Sequence, residues 1–410
     1  MSTAPVALPT SVRTLPVDRP VELLERLPLD GALAWVRAGD GLVGWGEAAR
    51  VELTGGDQFA AAELWWASFC AELDIADAVG VPGTGPVAFA SFAFDQARGR
   101  SVLVVPKVIL GQRDGAAWIT VVGDADAALP PVSVPDAPQD IRYSEASQSA
   151  THWQGAVRQA VARIVRGDLD KVVLARDLVA TAGGPIDIRH LLVRLAVRYP
   201  SCWTFSVDGL VGATPELLVR RTGDQVSSRV LAGTVRRLGD DLADGELAVA
   251  LMDSDKDLEE HELAVHSVAA ALAAHCTDLE VPAHPRVLRL ANVQHLATDV
   301  TGTIIDGSSV LALATDLHPT AAVCGTPTAV ALELIRELEG MDRGRYAGPV
   351  GWIGAGGDGE FGIALRCAEV AGDTARLFAG CGIVAGSDAD AELAEAQAKF
   401  VPVRDALEPL

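Results

Sequence analysis

Alternating apolar and polar positions, broken by glycine and aspartate, predict that much of this chain consists of short strands joined by tight turns. The clearest turn is Gly-Asp-Gly at 39–41, which lies between two apolar runs and is typical of a hairpin. The segment 347–384 predicts three strands with two turns. The strand-rich segments are 31–53, 85–95, 101–123, 202–237, 295–304 and 347–384.

Apolar residues spaced three or four apart predict helices between these segments. The predicted helices span 58–73, 152–168, 187–200, 253–276, 328–340 and 390–407. Because helices are interspersed among hairpins, the pattern favours mixed or antiparallel sheets that are covered by helices. The segment 124–145 is rich in Pro, Asp and Ala and is the best candidate for a linker.

The amino-acid composition limits which kinds of molecule the protein is expected to bind. The 410 residues carry a formal net charge of −22, which argues against nucleic acid or an anionic membrane surface as a partner. An anionic substrate would therefore need a local group of cations or a metal ion. No apolar run is long enough to span a bilayer, and the first 20 residues lack the features of a signal peptide. The six cysteines form no C-x-x-C pair, so buried thiols of a cytoplasmic protein are expected.

Three segments resemble known sequence motifs but lack the context that the chemistry of those motifs requires. The glycines of 354–359 precede a strand-like segment, so this match to a dinucleotide motif predicts a hairpin turn. The glycines of 380–385 lie between a strand and a helix, but the chain ends before the further strand and acid that a dinucleotide site needs. Close approach of this backbone to an anion stays possible. His261 and Glu262 begin a zinc-protease motif in which Val265 replaces the second histidine.

Two pairs of acidic residues are candidates for a metal site. Asp257 and Glu260 lie three apart on one predicted helix, and Glu392 and Glu395 repeat this spacing on the last helix. Residues with this spacing project from the same helix face, which is usually a solvated surface. If the two pairs met across a cleft, they would form an oxygen-rich site suited to Mg²⁺, and spacing alone leaves both alternatives open.

Four further charged residues have uncommon positions. Lys171 begins an apolar strand and Glu216 directly precedes another, so each is either an exposed end of a strand or part of an acid–base pair. Arg366 lies within a mostly apolar strand and would need an anionic partner if buried. Lys399 follows Glu395 by four residues, a spacing that an ordinary helical ion pair also explains.

Ten segments in this order resemble the chorismate-utilising enzymes, which include anthranilate, aminodeoxychorismate, isochorismate and salicylate synthases. The segments are DKVVLAR, GATPELLVR, LAGTVRR, DKDLEEHELAV, VQHLATDVTG, LHPTAAVCGTP, YAGPVGW, FGIALRC, FAGCGIV and AELAEAQAKF. The resemblance implies a single large α/β (α+β) domain of two packed, mostly antiparallel sheets flanked by helices. It further implies that residues 146–410 form the chorismate-binding catalytic core, and that residues 1–145 complete the sheets without folding independently.

The resemblance also implies a role for each candidate residue. Glu260 and Glu395 match the ligands of Mg²⁺, with Asp257 and Glu392 as indirect or water-mediated partners. Arg366 and Tyr346 match residues that hold the enolpyruvyl carboxylate of chorismate, and Lys399 with the glycine amides of 380 and 382 would hold its ring carboxylate. The residues implied to contact chorismate are Gly233, Thr234, His295, Tyr346, Arg366, Gly380, Gly382 and Lys399.

Lys171 indicates which branch of the family the chain resembles most. The water-using branch keeps a lysine at this position, as the general base that activates water, and a glutamate matching Glu216 as the general acid. The resemblance therefore implies an isochorismate synthase of the menaquinone or siderophore type. Salicylate synthases share both residues and stay an alternative, as do an aminating synthase and a chorismate-binding protein without catalysis. A monomer or weak homodimer is expected.

Overall fold

The computed structural model describes residues 11–19 and 21–408, and in these ranges the chain forms 23 strands. The strands are β1 (Ser11–Val17), β2 (Leu33–Arg37), β3 (Asp40–Trp45), β4 (Ala49–Thr54), β5 (Asp74–Asp77), β6 (Val87–Ser91), β7 (Arg100–Val105), β8 (Val108–Arg113), β9 (Ala116–Val122), β10 (Arg142–Glu145), β11 (Lys171–Thr181), β12 (Trp203–Val207), β13 (Leu210–Thr214), β14 (Leu217–Thr222), β15 (Gln225–Arg236), β16 (Cys276–Glu280), β17 (Arg286–Arg289), β18 (Val293–Ile304), β19 (Gly325–Thr326), β20 (Pro349–Gly354), β21 (Gly359–Ile363), β22 (Cys367–Ala371) and β23 (Thr374–Ile383).

Eight α-helices and one short 3-10 helix, Leu23–Arg26, accompany these strands in the described part of the chain. The α-helices are α1 (Gln58–Ala71), α2 (Ala150–Val165), α3 (Ile188–Arg198), α4 (Asp241–Met252), α5 (Asp255–Leu272), α6 (Val310–Leu317), α7 (Thr328–Leu338) and α8 (Ala389–Leu407). None of the helices within the described ranges has the length and apolar character that crossing a bilayer requires.

The strands form two large sheets. The first runs β10-β11-β23-β22-β13-β12-β2-β3-β8-β9-β1-β5, with β19 beside β11, and the second runs β16-β18-β15-β14-β21-β20-β6-β7-β4, with β17 beside β18. Among the described strands, β1 and β5 pair in parallel and the other pairs are antiparallel. This architecture confirms the predicted fold of two mostly antiparallel sheets with helices.

Strands from both ends of the chain share each sheet. In the first sheet β2 pairs with β12, and in the second β6 pairs with β20. The sheets approach closely at Trp35 of β2, since a Cβ atom on Gly362 of β21 would lie 2.9 Å from the Trp35 ring. A larger residue at 362 would therefore push the sheets apart.

Three sequence-based expectations need correction. The segment 347–384 forms four strands rather than three, because the chain leaves the second sheet after β21 and enters the first at β22. Arg366 therefore lies between strands, with a left-handed φ of 50°, rather than within one. The proposed linker ends in β10, which pairs with β11. The sequence pattern did not predict α4, α6 or the strands β1, β5, β16, β17 and β19.

Candidate active site

A cavity of about 250 Å³ lies where β11, β15, β18 and β23 meet α5 and α8. Thirteen of the fourteen residues singled out in the sequence line it, namely Glu216, Gly233, Thr234, Asp257, Glu260, His295, Tyr346, Arg366, Gly380, Gly382, Glu392, Glu395 and Lys399. The fourteenth, Lys171, lies directly behind this lining. Segments that are distant in the sequence thus converge on one polar cavity.

Lys171 is the first residue of β11 and is only 2% exposed. Its position follows from the sheet, because β11 pairs with β23 on one side and Lys171 itself lies opposite Thr326 of β19 on the other. Its Nζ donates to Oε1 of Glu260 at 2.7 Å. A Cβ atom on Gly382 would lie 3.0 Å from both Lys171 Cε and Glu260 Oε1, so a larger residue here would require this ion pair to shift.

Glu216 is 4% exposed and follows Pro215 at the entrance to β14. Burial raises the pKa of Glu216 to about 8, although the cations Lys171, Arg366 and Lys399 act to lower it. The carboxyl group is therefore largely protonated at neutral pH, as a general acid must be.

The two acidic pairs predicted on helices face the same cavity. Ser254 Oγ donates to Asp257 and Ser387 Oγ donates to Glu392 at 2.7 Å, so both carboxylates are oriented by a hydroxyl. The second oxygen of Glu392, Oε2, is buried and has no hydrogen-bond partner. A buried carboxylate oxygen without a hydrogen-bond partner makes folding less favourable. Four carboxylates around one cavity provide the oxygen donors that Mg²⁺ prefers.

Arg366, His295 and Thr234 form a chain of contacts along one wall. Arg366 lies 3.5 Å from Nε2 of His295, whose Nδ1 lies 3.0 Å from Oγ1 of Thr234. Burial, with Arg366 and Lys399, lowers the pKa of His295 well below its usual value. Since arginine can only donate, neutral His295 accepts at Nε2 and donates from Nδ1 to Thr234. Gly233 occupies a bulge with φ of 75°, which admits this close turn.

A second wall of the cavity consists of Gly380, Gly382, Tyr346 and Lys399. Val173 and Ala175, which lie opposite the two glycines, direct their amides to Cys324 and Glu339. Val173 with Gly382 and Ala175 with Gly380 are therefore non-hydrogen-bonded pairs of the antiparallel ladder. As a result, the N–H groups of both glycines point away from β11.

Lys399 and Tyr346 add donors beside these glycines. Lys399 donates to the carbonyl of Gly380 at 2.8 Å and pairs with Glu395 at 2.5 Å. Burial raises the pKa of Tyr346, which stacks on Phe378 with ring centroids 5.0 Å apart, so its hydroxyl stays neutral. This wall offers one cation, one hydroxyl and two amides to a negatively charged ligand.

Comparison with known proteins identifies the family. The family model described as chorismate binding enzyme matches residues 34–408. The chain belongs to this family. It is 35% identical over 352 residues to the isochorismate synthase MenF of Bacillus subtilis, covering 79% of this chain and 75% of that protein.

Two further relatives agree with this assignment. The isochorismate synthase DhbC of Bacillus subtilis is 41% identical over 295 residues, covering 64% of this chain and 74% of that protein. The solved structure of MenF, the menaquinone-specific isochorismate synthase from Escherichia coli, superposes with a TM-score of 0.79 and 25% identity. That similarity covers 98% of this chain and 97% of the other. The predicted membership of the chorismate-utilising family is confirmed.

Sequence reasoning missed ten residues that line the cavity of this family member. They are Val173, Pro215, Leu231, Ala232, Lys256, Ala322, Val323, Arg343, Ala347 and Leu365. Most are apolar and carry no distinctive signal. Lys256 and Arg343 are charged, and the sequence offered a clue to both, since Lys256 adjoins Asp257 and Arg343 precedes Tyr346 by three residues.

Proposed function

We propose that this protein is an isochorismate synthase, an isomerase that converts chorismate to isochorismate by adding water at C2 and losing the C4 hydroxyl. The observation that carries the proposal is the placement of two buried side chains, Glu216 in the lining of one polar cavity and Lys171 directly behind it. The isochorismate synthases among its relatives support the same activity.

Lys171 and Glu216 divide the proton transfers between them. The ammonium of Lys171 that pairs with Glu260 must first lose a proton, because only the amine can act as a base. The amine then takes a proton from water while the water oxygen bonds to C2 of the ring. As the ring double bonds shift, Glu216 gives its proton to the C4 oxygen, which leaves as water. The base makes water a better nucleophile and the acid makes the C4 hydroxyl a better leaving group. Each such group typically raises the reaction rate by about 10²–10⁴-fold.

Mg²⁺ is the proposed cofactor, held by Glu260 and Glu395, with Asp257 and Glu392 as supporting carboxylates. The unpartnered Oε2 of Glu392 and the convergence of four carboxylates support this assignment. When bound, Mg²⁺ would attract the ring carboxylate of chorismate and offset the negative charge of these side chains.

Substrate binding is assigned to the two walls of the cavity. Arg366 and Tyr346 would hold the enolpyruvyl carboxylate, while Lys399 and the free amides of Gly380 and Gly382 would hold the ring carboxylate. Thr234, Gly233 and His295 would line the ring. Because chorismate is a dianion and the protein carries −22, these local donors supply the positive potential that the chain as a whole lacks.

The decisive experiment is chromatography of the products formed from chorismate and Mg²⁺. Support would come from isochorismate formation by the native protein, turnover about 10²–10⁴-fold lower in Lys171→Ala and Glu216→Gln, and chorismate binding that calorimetry still detects in both variants. Near-native rates for Lys171→Ala would overturn the base assignment. Salicylate with pyruvate, an amino product when ammonia is added, or binding without product would each favour a different member of the family.

We further propose that the protein acts in the cytoplasm as a monomer or weak homodimer. The six cysteines are free in the described structure, which is compatible with a reducing compartment. We also propose that residues 1–145 are not an independent domain, because β2 and β6 hydrogen-bond to strands of 146–410 in both sheets.

A further inference from the structure

Strand β11, which carries Lys171, lacks a neighbouring strand along part of one edge. On this edge β19 covers Lys171 and Val172, and β10 covers 178–181, while the opposite edge pairs with β23 from Val172 onward. The backbone of 173–175 faces this gap directly beside the cavity. Buried backbone groups that lack a partner are costly, so other groups must satisfy them.

Two side chains and a loop replace the missing strand. Glu339 Oε1 accepts from the N–H of Ala175 at 2.7 Å, and Arg343 donates to the carbonyl of Val173 at 2.8 Å. The carbonyl of Cys324 accepts from the N–H of Val173 at 2.8 Å. A continuous strand here would fill space next to the cavity, whereas two side chains satisfy the backbone and leave the cavity open.

Glu339 and Arg343 form a fully buried ion pair, 1% and 3% exposed, with Nε of Arg343 2.8 Å from Glu339 Oε2. Arg343 also donates to the carbonyl of Val323 at 2.9 Å, and its guanidinium lies 4.1 Å from the ring centre of Phe94. The backbone N–H of Tyr346 donates to the carbonyl of Arg343. Arg343 therefore connects three parts of the cavity wall by hydrogen bonds, at Val173, Val323 and Tyr346.

We propose that Glu339 and Arg343 are positioning residues that hold β11, and with it Lys171, at the distance from bound chorismate that water activation requires. Lys171 is two residues from Val173, about 7 Å along the strand. A small displacement of Val173 therefore moves the ammonium group. Misplacement of a catalytic group by about 1 Å costs on the order of 10²-fold in rate. This inference rests on the proposed function of Lys171.

The test compares Glu339→Gln and Arg343→Lys with a matched control, Asp177→Asn. Gln keeps an acceptor for Ala175 but removes the charge, and Lys keeps the charge but cannot bridge the carbonyls of Val173 and Val323. Asp177 is equally buried on β11 and pairs with Arg376 at 2.8 Å, but it does not line the cavity. Isochorismate formation and thermal unfolding are measured for all three.

We expect both pair variants to lower kcat at least tenfold with the KM for chorismate within threefold of native, while Asp177→Asn lowers Tm and leaves kcat within twofold. A kcat within twofold of native in both pair variants would overturn the inference. If neither variant folds, the double variant Glu339→Leu/Arg343→Met, which removes both charges together, is held to the same criterion. A second outcome is that Glu339→Gln and Arg343→Lys lose kcat while Lys171→Ala keeps native rates. This outcome would refute Lys171 as the base and therefore also positioning through Lys171. Native kcat in the pair variants, with Lys171→Ala inactive, would refute the positioning role alone.

Discussion

The ammonium of Lys171 lies 2.7 Å from Oε1 of Glu260, so the proposed base and a proposed metal ligand share one partly buried ion pair. A cation that binds Glu260 must compete with Lys171 for the same carboxylate. Binding of Mg²⁺ at Glu260 and the contact between Lys171 and Glu260 are therefore coupled.

Removal of Lys171 should strengthen metal binding in the absence of chorismate. We expect Lys171→Ala to lower the Kd for Mg²⁺ by about tenfold, which corresponds to about 1.4 kcal/mol, because the competing ammonium is gone. Titration calorimetry with MgCl₂ measures this without turnover. Lys107→Ala, at an exposed site away from the cavity, serves as control. An unchanged or higher Kd in Lys171→Ala would show that the two cations do not compete.

The pKa of Glu216, which burial raises to about 8, sets an expected alkaline limit for activity. Since the general acid must be protonated, kcat should be insensitive to this group below pH 8 and fall about tenfold per unit well above it. Steady-state rates from pH 6 to 10 at saturating chorismate and Mg²⁺ provide the measurement. If the residual activity of Glu216→Gln falls above pH 8 in the same way as native activity, a group other than Glu216 causes the decrease.

The same pKa predicts how stability depends on pH. Between about 4.5 and 8, unfolded Glu216 is ionised while the folded form still holds its proton, so this group makes folding less favourable as pH rises through that window. Glu216→Gln should therefore unfold at a Tm a few degrees above native at pH 9 but near native at pH 4. Differential scanning calorimetry of the metal-free protein tests this, and equal differences at both pH values would contradict it.

A side chain at Gly382 is expected to disturb the Lys171–Glu260 ion pair. In Gly382→Ala, the added Cβ would approach Lys171 Cε and Glu260 Oε1 to 3.0 Å, so the two side chains would have to shift by a few tenths of an ångström. We expect kcat to fall by about tenfold with the fold retained, as judged by circular dichroism. Gly386→Ala is the matched control, because nothing lies within 4 Å of its added Cβ and its φ is not left-handed. Comparable losses in both variants would remove the steric explanation.

Glu392 is expected to act on metal binding more than on stability. Its Oε2 is buried without a partner, so Glu392→Gln, which keeps the Ser387 contact, should cost little Tm. We expect the Kd for Mg²⁺ to rise about 10–100-fold, in line with the loss of a group that supports metal ligands. Calorimetric titration of native and variant protein decides this, and an unchanged Kd would place the metal elsewhere.

The sequence by itself determined the local features of this protein. Alternation and turn residues predicted the hairpins, and helical spacing placed Asp257 with Glu260 and Glu392 with Glu395 on shared faces. These are short-range properties, governed by backbone geometry within a few residues. The order of the charged motifs indicated the family, which the comparisons confirm.

Only the tertiary structure decided which of these local features face one another. Residues of α5 and α8 line the same cavity because of long-range packing, so spacing could not distinguish a metal site from two solvated helix faces. The same holds for Arg366, which lies where the chain passes from one sheet to the other. The partners of Lys171 and Val173 come from 89 and 170 residues away in the sequence. Burial among those distant partners, rather than any property of the local segment, determines the electrostatic environment of these groups.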